Sequence, residues 1–192
     1  MQLPAPIRKW WSRLLGIPTP VQAQGEDDTA ASRRLADAIY GLSVNCSNLE
    51  RSLEFYRAIG FKEIADIAES GGGALEKALR IPSPRARGRL LKLGDDPHAI
   101  NLDLIEWVSP RTEGRAYPRL NHAGITRIAL HTSNLQKTYE ELKARGIEFY
   151  SEPQVMQFHN GSSLFVCFED PDGTVLELIE FRPAQTGGPE RH

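Results

Sequence analysis

Cysteine is nearly absent: the 192 residues contain only Cys46 and Cys167, far apart and with no CxxC spacing. This excludes a CxxC zinc knuckle and offers no disulfide framework, leaving at most a single bridge between the two. A surplus of one charge is missing as well, since 23 Lys and Arg stand against 25 Asp and Glu for a net charge of −2. Nothing in that balance recommends nucleic acid as a partner. No run approaches the roughly 18 apolar residues of a membrane span, so no crossing is expected. The opening "IRKWWSRLLGIPTPVQAQ" has a basic start and a cleavage-like "VQA", but Arg13, Pro18 and Pro20 interrupt the apolar stretch that a secretion signal needs. A cytoplasmic protein is expected; export through a weak signal, or a short amphipathic helix on a surface, is the alternative.

What the chain does have is apolar material, 40% against 25% charged, enough for one domain or for two small halves sharing a core. It also repeats itself. "LDLIEW" at 102–107 returns as "LELIEF" at 176–181, and "SNLERSLEFYRAIGF" at 47–61 returns as "SNLQKTYEELKARGI" at 133–147. In both copies S-x-x-E/Q (Ser47 with Glu50, Ser133 with Gln136) reads as a capping box that satisfies free amides at a helix start. Apolar residues follow at helical spacing, and Gly60 and Gly146 stand where a left-handed residue ends a helix.

A short alternating segment precedes each helix, "GLSVNC" (41–46) and "RIALHT" (127–132). Strand side chains point alternately to opposite faces. Leu42, Val44 and Cys46 therefore share one face, as do Ile128, Leu130 and Thr132, and these faces pack on the helices. The other faces carry Gly41, Ser43 and Asn45, and Arg127, Ala129 and His131. In the late strands, Asp103, Ile105 and Trp107 face one way, as do Glu177, Ile179 and Phe181. Further strands are expected at "FKEIADIAES" and "GRLLKL" in the first half. In the second they are expected around "EFYSEP" and at "SSLFVCFE", the latter closed by the turn "DPDG".

Each half thus reads as strand, helix, then about three strands. The fold class is α+β: two βαβββ modules pairing into a curved, cup-like mixed sheet with helices on the convex face. The expected division is an N-terminal tail at 1–38, a first module at 39–107, a linker at 108–123, a second module at 124–183 and a C-terminal tail at 184–192.

"NLERSLEFYRAIGF", "GITRIALHTSNL" and "FEDPDGTVLELIEF", spread over about residues 40–182, resemble the vicinal oxygen chelate superfamily. Its members include glyoxalase I, methylmalonyl-CoA epimerase, extradiol dioxygenases and bleomycin- and fosfomycin-resistance proteins. The resemblance implies a cup that takes a small molecule, usually over a divalent metal. That metal would be held by one position on the first strand of each module, often His, and by a carboxylate on each last strand. Here the carboxylate positions hold Asp103 and Glu177, but the first-strand positions hold Gly41 and Arg127. Glycine offers no donor atom, and a guanidinium has no acceptor and repels a cation.

The expectation is therefore that Arg127 replaces the metal and donates to both Asp103 and Glu177, relieving the repulsion between two acids in a dry cup. No cofactor is expected; the alternative is a divalent ion held by Asp103, Glu177 and His131. Ser43 and Asn45 are candidates for orienting a ligand, together with Arg127 and His131, and Trp107 and Phe181 for stacking on it. His122 and His159 fall in loops. Arg111, Arg115 and Arg119 in the linker either cover the cup and favour anions or are simply solvated. The expected function is binding of a small organic molecule by a monomer or homodimer. The alternative is a metal-dependent lyase, isomerase or extradiol-type dioxygenase; a metal-free enzyme would use Glu177 or Asp103 as base beside Arg127.

Overall fold

The computed structural model describes residues 39–95, 99–117 and 119–183, so the expectations for both tails lie outside the described residues. The first module runs β1 (Gly41–Cys46), α1 (Leu49–Ala58), β2 (Phe61–Gly71), α2 (Gly73–Leu79), β3 (Arg85–Leu93) and β4 (Asn101–Ser109). The second runs β5 (Ile128–His131), α3 (Leu135–Ala144), β6 (Gln154–Phe158), β7 (Gly161–Glu169) and β8 (Val175–Pro183). The sheets have matching orders, β1-β4-β3-β2 and β5-β8-β7-β6. In each the first strand runs parallel to the last and the other pairings are antiparallel. The expected α+β fold of two βαβββ modules is present. The sheets form two separate four-stranded ladders, without a hydrogen-bonded rung joining them among the described residues.

Three local readings need correction. The strand expected around "EFYSEP" begins only at Gln154, just past Pro153, whose nitrogen has no hydrogen to give a ladder; Phe149 makes one isolated bridge to Phe168. The helix caps are Asn48 and Asn134, one residue later than the serines. Their side chains accept from the amides of Arg51 and Lys137, each at 3.0 Å, because an Asn at the cap reaches the third helical amide as well as Ser does. Helix α2 was not foreseen; it is one of the first module's departures from the repeat, and none of its residues is buried. Gly60 and Gly146 do end α1 and α3 at positive φ, 103° and 87°.

Each repeated "LIE" carries a second acid, three residues after the first and therefore on the opposite sheet face. Glu106 accepts from the Leu49 amide at 3.2 Å, and Glu180 from the Leu135 amide at 2.7 Å. Both carboxylates thus sit at helix N-termini, where free amides and the helix dipole favour negative charge. The repeat explains itself: one acid per module pins the helix to the sheet, and the other lies on the sheet face away from that helix.

A single apolar core runs through both modules, from Leu53, Tyr56 and Leu104 in the first to Leu135, Phe168 and Leu176 in the second. The DPDG turn of the second module docks on α1 of the first. Asp172 accepts from the Ser47 hydroxyl (2.5 Å), the Ser47 amide (3.1 Å) and Arg51 (2.8 Å). Burial alone would raise the Asp172 carboxyl, but the bonds from Ser47 and Arg51 outweigh it and hold the group below its ordinary value. A depressed folded pKa adds stability that is complete above the unfolded pKa and disappears as pH falls through the folded one. Asp172→Asn is expected to cost about 1–2 kcal/mol at pH 7, with the half-exposed Arg51 supplying the smaller share. In urea unfolding repeated from roughly pH 5 to pH 2, the gap between variant and wild type should close; a gap independent of pH would contradict this origin.

Candidate functional site

The parallel register of β1 on β4 sets Gly41 beside Asn101, Ser43 beside Asp103 and Asn45 beside Ile105. In the second sheet Ala129 and Cys167 flank Glu177. The registers thus place Ser43 with Asp103 and Ala129 with Glu177 side by side on their sheets.

The two acids meet different surroundings. Glu177 is 5% exposed, and its Oε2 accepts from Arg127 Nε at 2.9 Å. Cys167 Sγ lies 3.9 Å from the same oxygen; burial, then the neighbouring carboxylate, pushes that thiol up. Asp103 is not reached by Arg127: among the described residues no ion pair involves it, and its Oδ1 is buried without a hydrogen-bond partner. Burial pushes the Asp103 carboxyl up, opposed only by the Ser43 hydroxyl. Of the expected two-acid clasp the structure makes one half. The strand expected from residue 127 begins only at Ile128; Arg127 stands immediately before it, next to the second module's own sheet, whose last strand carries Glu177, whereas Asp103 belongs to a separate sheet.

The remaining candidates divide. Ser43, Asn45 and Arg127 line a cavity of about 760 Å³ between the modules, bounded by β1, residues 112–117, residues 125–128 and the strand entry at 172–175. Trp107, His131 and Phe181 do not line it. Trp107 donates its indole N–H to Asn45 Oδ1 at 2.9 Å, so two residues expected to meet a ligand meet each other. His131 stacks on Phe181, with ring centroids 6.3 Å apart and planes 13° apart. Arg115 lines the cavity; Arg111 and Arg119 do not. His122 packs near the Tyr117 ring at 5.6 Å.

Sequence reasoning missed the apolar part of this wall. Ile125 is 73% exposed and Tyr117 49% exposed, and both line the cavity. They stand in the irregular stretch between β4 and β5, where no periodicity marks a face. Thr112 anchors the segment by donating to the Cys46 carbonyl at 2.9 Å and accepting from the Trp107 amide at 3.2 Å.

The residues at the four ligand positions do not fit a divalent ion. Gly41 brings no donor, Arg127 brings a charge already seated on Glu177, and no three His, Cys, Asp or Glu side chains converge among the described residues.

Two βαβββ modules, each with an acid at the matching position of its last strand and a cavity between them, define a protein of the paired-module class. The family model of the Glyoxalase/Bleomycin resistance protein/Dioxygenase superfamily matches residues 35–178, and the chain belongs to that superfamily. Among solved structures, a glyoxalase family protein from Bacillus cereus superposes with a TM-score of 0.65 at 16% identity, covering 79% of this chain and 97% of that one. A glyoxalase family protein from Enterococcus faecalis gives 0.54 at 22% identity, covering 74% and 97%. TnmS3, an antibiotic binding protein from Streptomyces sp. CB03234, gives 0.51 at 20% identity, covering 78% and 100%. No curated protein matches the sequence. At these identities the similarity speaks for the fold. Among the described residues, no helix is long and apolar enough to cross a membrane.

Proposed function

We propose that this chain binds a small organic molecule in the cavity between its modules, without the divalent ion usual in its superfamily. The observation that carries the reading is the Arg127–Glu177 pair: a guanidinium stands at a metal-ligand position, 2.9 Å from a buried carboxylate. A fixed positive charge there opposes entry of a second cation and neutralises the acid that would have held it. The cavity itself has the makeup of an organic-ligand site, with apolar surface from Ile125 and Tyr117 and a few polar groups from Ser43 and Arg127. A relative of the same fold described as an antibiotic binding protein is in keeping with it.

The test is a protein-observed NMR screen against aromatic fragments, run with and without nickel or zinc. Binding should move the amides of Ser43, Asn45, Ile125 and Arg127 and be indifferent to the metal. Ser43→Trp, which fills the cavity from an exposed strand position, should abolish those shifts while the spectrum stays folded. Tight, one-to-one uptake of a divalent ion by the wild-type protein would overturn the proposal.

A further inference from the structure

The repeat gives Asp103 and Glu177 equivalent positions but unequal partners. In the second module Glu177 receives Arg127. In the first, the residue equivalent to Arg127 is Gly41, and among the described residues nothing replaces the missing guanidinium. Asp103 Oδ1 is buried with no hydrogen-bond partner, and so is Oδ1 of Asn101, two residues earlier on the same face of β4. Their register partners, Ser43 and Gly41, line the cavity. Two orphaned acceptors therefore sit one strand in from the cavity wall, beside Gly41 and Ser43, where the equivalent first-strand position of the other module carries a cation. Buried acceptors are seldom left this way in a finished site.

The charges around the cavity point the same way. Among its lining residues are Glu113, Arg115, Arg127 and Asp172. Arg127 is offset by Glu177 and Asp172 by Arg51, while Glu113 and Arg115 are of opposite sign. Asp103, beside the lining residue Ser43 though not itself on the wall, is an acid left without an ion pair among the described residues.

We propose that the ligand supplies the missing cation: an organic ammonium or guanidinium whose charged end occupies the space over Gly41, donates to Asp103 and Asn101, and lays its apolar body along Ile125 and Tyr117. This rests on the cavity binding a small molecule and adds the chemical class. Asp103 and Asn101 are then specificity determinants, and the asymmetry between modules is the recognition device.

NMR titrations of the full chain with benzylammonium, benzyl alcohol and benzoate test this at one ionic strength. Benzylammonium should shift the amides of Gly41, Asn101 and Asp103 and bind at least tenfold more tightly than the other two, roughly the worth of one charge-assisted contact. Asp103→Asn should erase that preference and leave benzyl alcohol unchanged. Gly41→Arg, which gives the first module the cation the second already has, should abolish benzylammonium binding. A Cβ at position 41 comes within 3.0 Å of the Asn101 carbonyl oxygen, so the folded spectrum is checked first; the wild-type comparison needs no variant. Equal binding of benzylammonium and benzyl alcohol, or a preference for benzoate, would overturn the charge assignment and leave the cavity as a small-molecule site. Binding of none of the three would remove both.

Discussion

Tyr56→Ala should destabilise the whole chain by about 3–5 kcal/mol, the range for deleting a large buried aromatic. Tyr56 is fully buried, and its ring meets those of Phe55 and Phe61 edge-on, each at 5.4 Å. Its hydroxyl donates to Asp170 Oδ2 at 3.0 Å across the module boundary. Asp170, 4% exposed, also accepts through Oδ1 from the amides of Asp172 and Thr174 and so holds the DPDG turn in shape. Burial still pushes its carboxyl above the ordinary value, which makes each donor count. Tyr56→Phe keeps the packing and removes only the hydroxyl, so about 1–2 kcal/mol should be lost. Because the ring belongs to the first module and the turn to the second, urea unfolding followed by circular dichroism should show one cooperative transition moved to lower urea. Two separated transitions in the wild-type protein would mean that the modules are not coupled through this contact.

Gly41→His combined with Arg127→His should give the chain a stoichiometric divalent-ion affinity that, on the proposed reading, the wild type lacks. The double variant offers two imidazoles and two carboxylates at the family's four positions, a donor set suited to zinc or nickel. Two changes act together. Removing Arg127 frees Glu177 from its ion pair and takes away a repelling charge, while Asp103 already has an oxygen without a partner. A dissociation constant on the order of 1 μM, about 8 kcal/mol of binding, is the expected scale. Calorimetry and elemental analysis of the dialysed protein read it directly. Arg127→His alone, with Gly41 still empty of donors, should bind at least tenfold more weakly. A folded double variant that binds no metal would show that the four positions do not converge, and the assignment of Arg127 to a ligand position would fall with it.

The two alternating segments, the two helices and their glycine ends, and the strand positions of Asp103 and Glu177 were all legible from residue order. Each depends on neighbours within a few positions, where the strand period of two and the helix period of 3.6 assign side chains to faces. Even the second acid of each "LIE" had a local signal, since its offset places it on the helix side. That Asn48 rather than Ser47 caps the helix is local, since Asn134 does the same in the other module, but that Ser47 bonds to Asp172, 125 residues away, is not. No window on the sequence holds both.

By itself, then, the sequence determined that there are two modules, which residues share a strand face, and that one first-strand position holds glycine and the other arginine. Tertiary structure alone decided that Arg127 reaches Glu177 and that Asp103, among the described residues, has no ion pair and keeps one oxygen unbonded. It also decided that Ile125 and Tyr117 line the cavity and that the DPDG turn of one module fastens the helix of the other. The physical reason is range: periodicity sets the direction of a side chain, but whether two groups lie within the roughly 3 Å of a hydrogen bond depends on how separately formed sheets come to rest against a shared core.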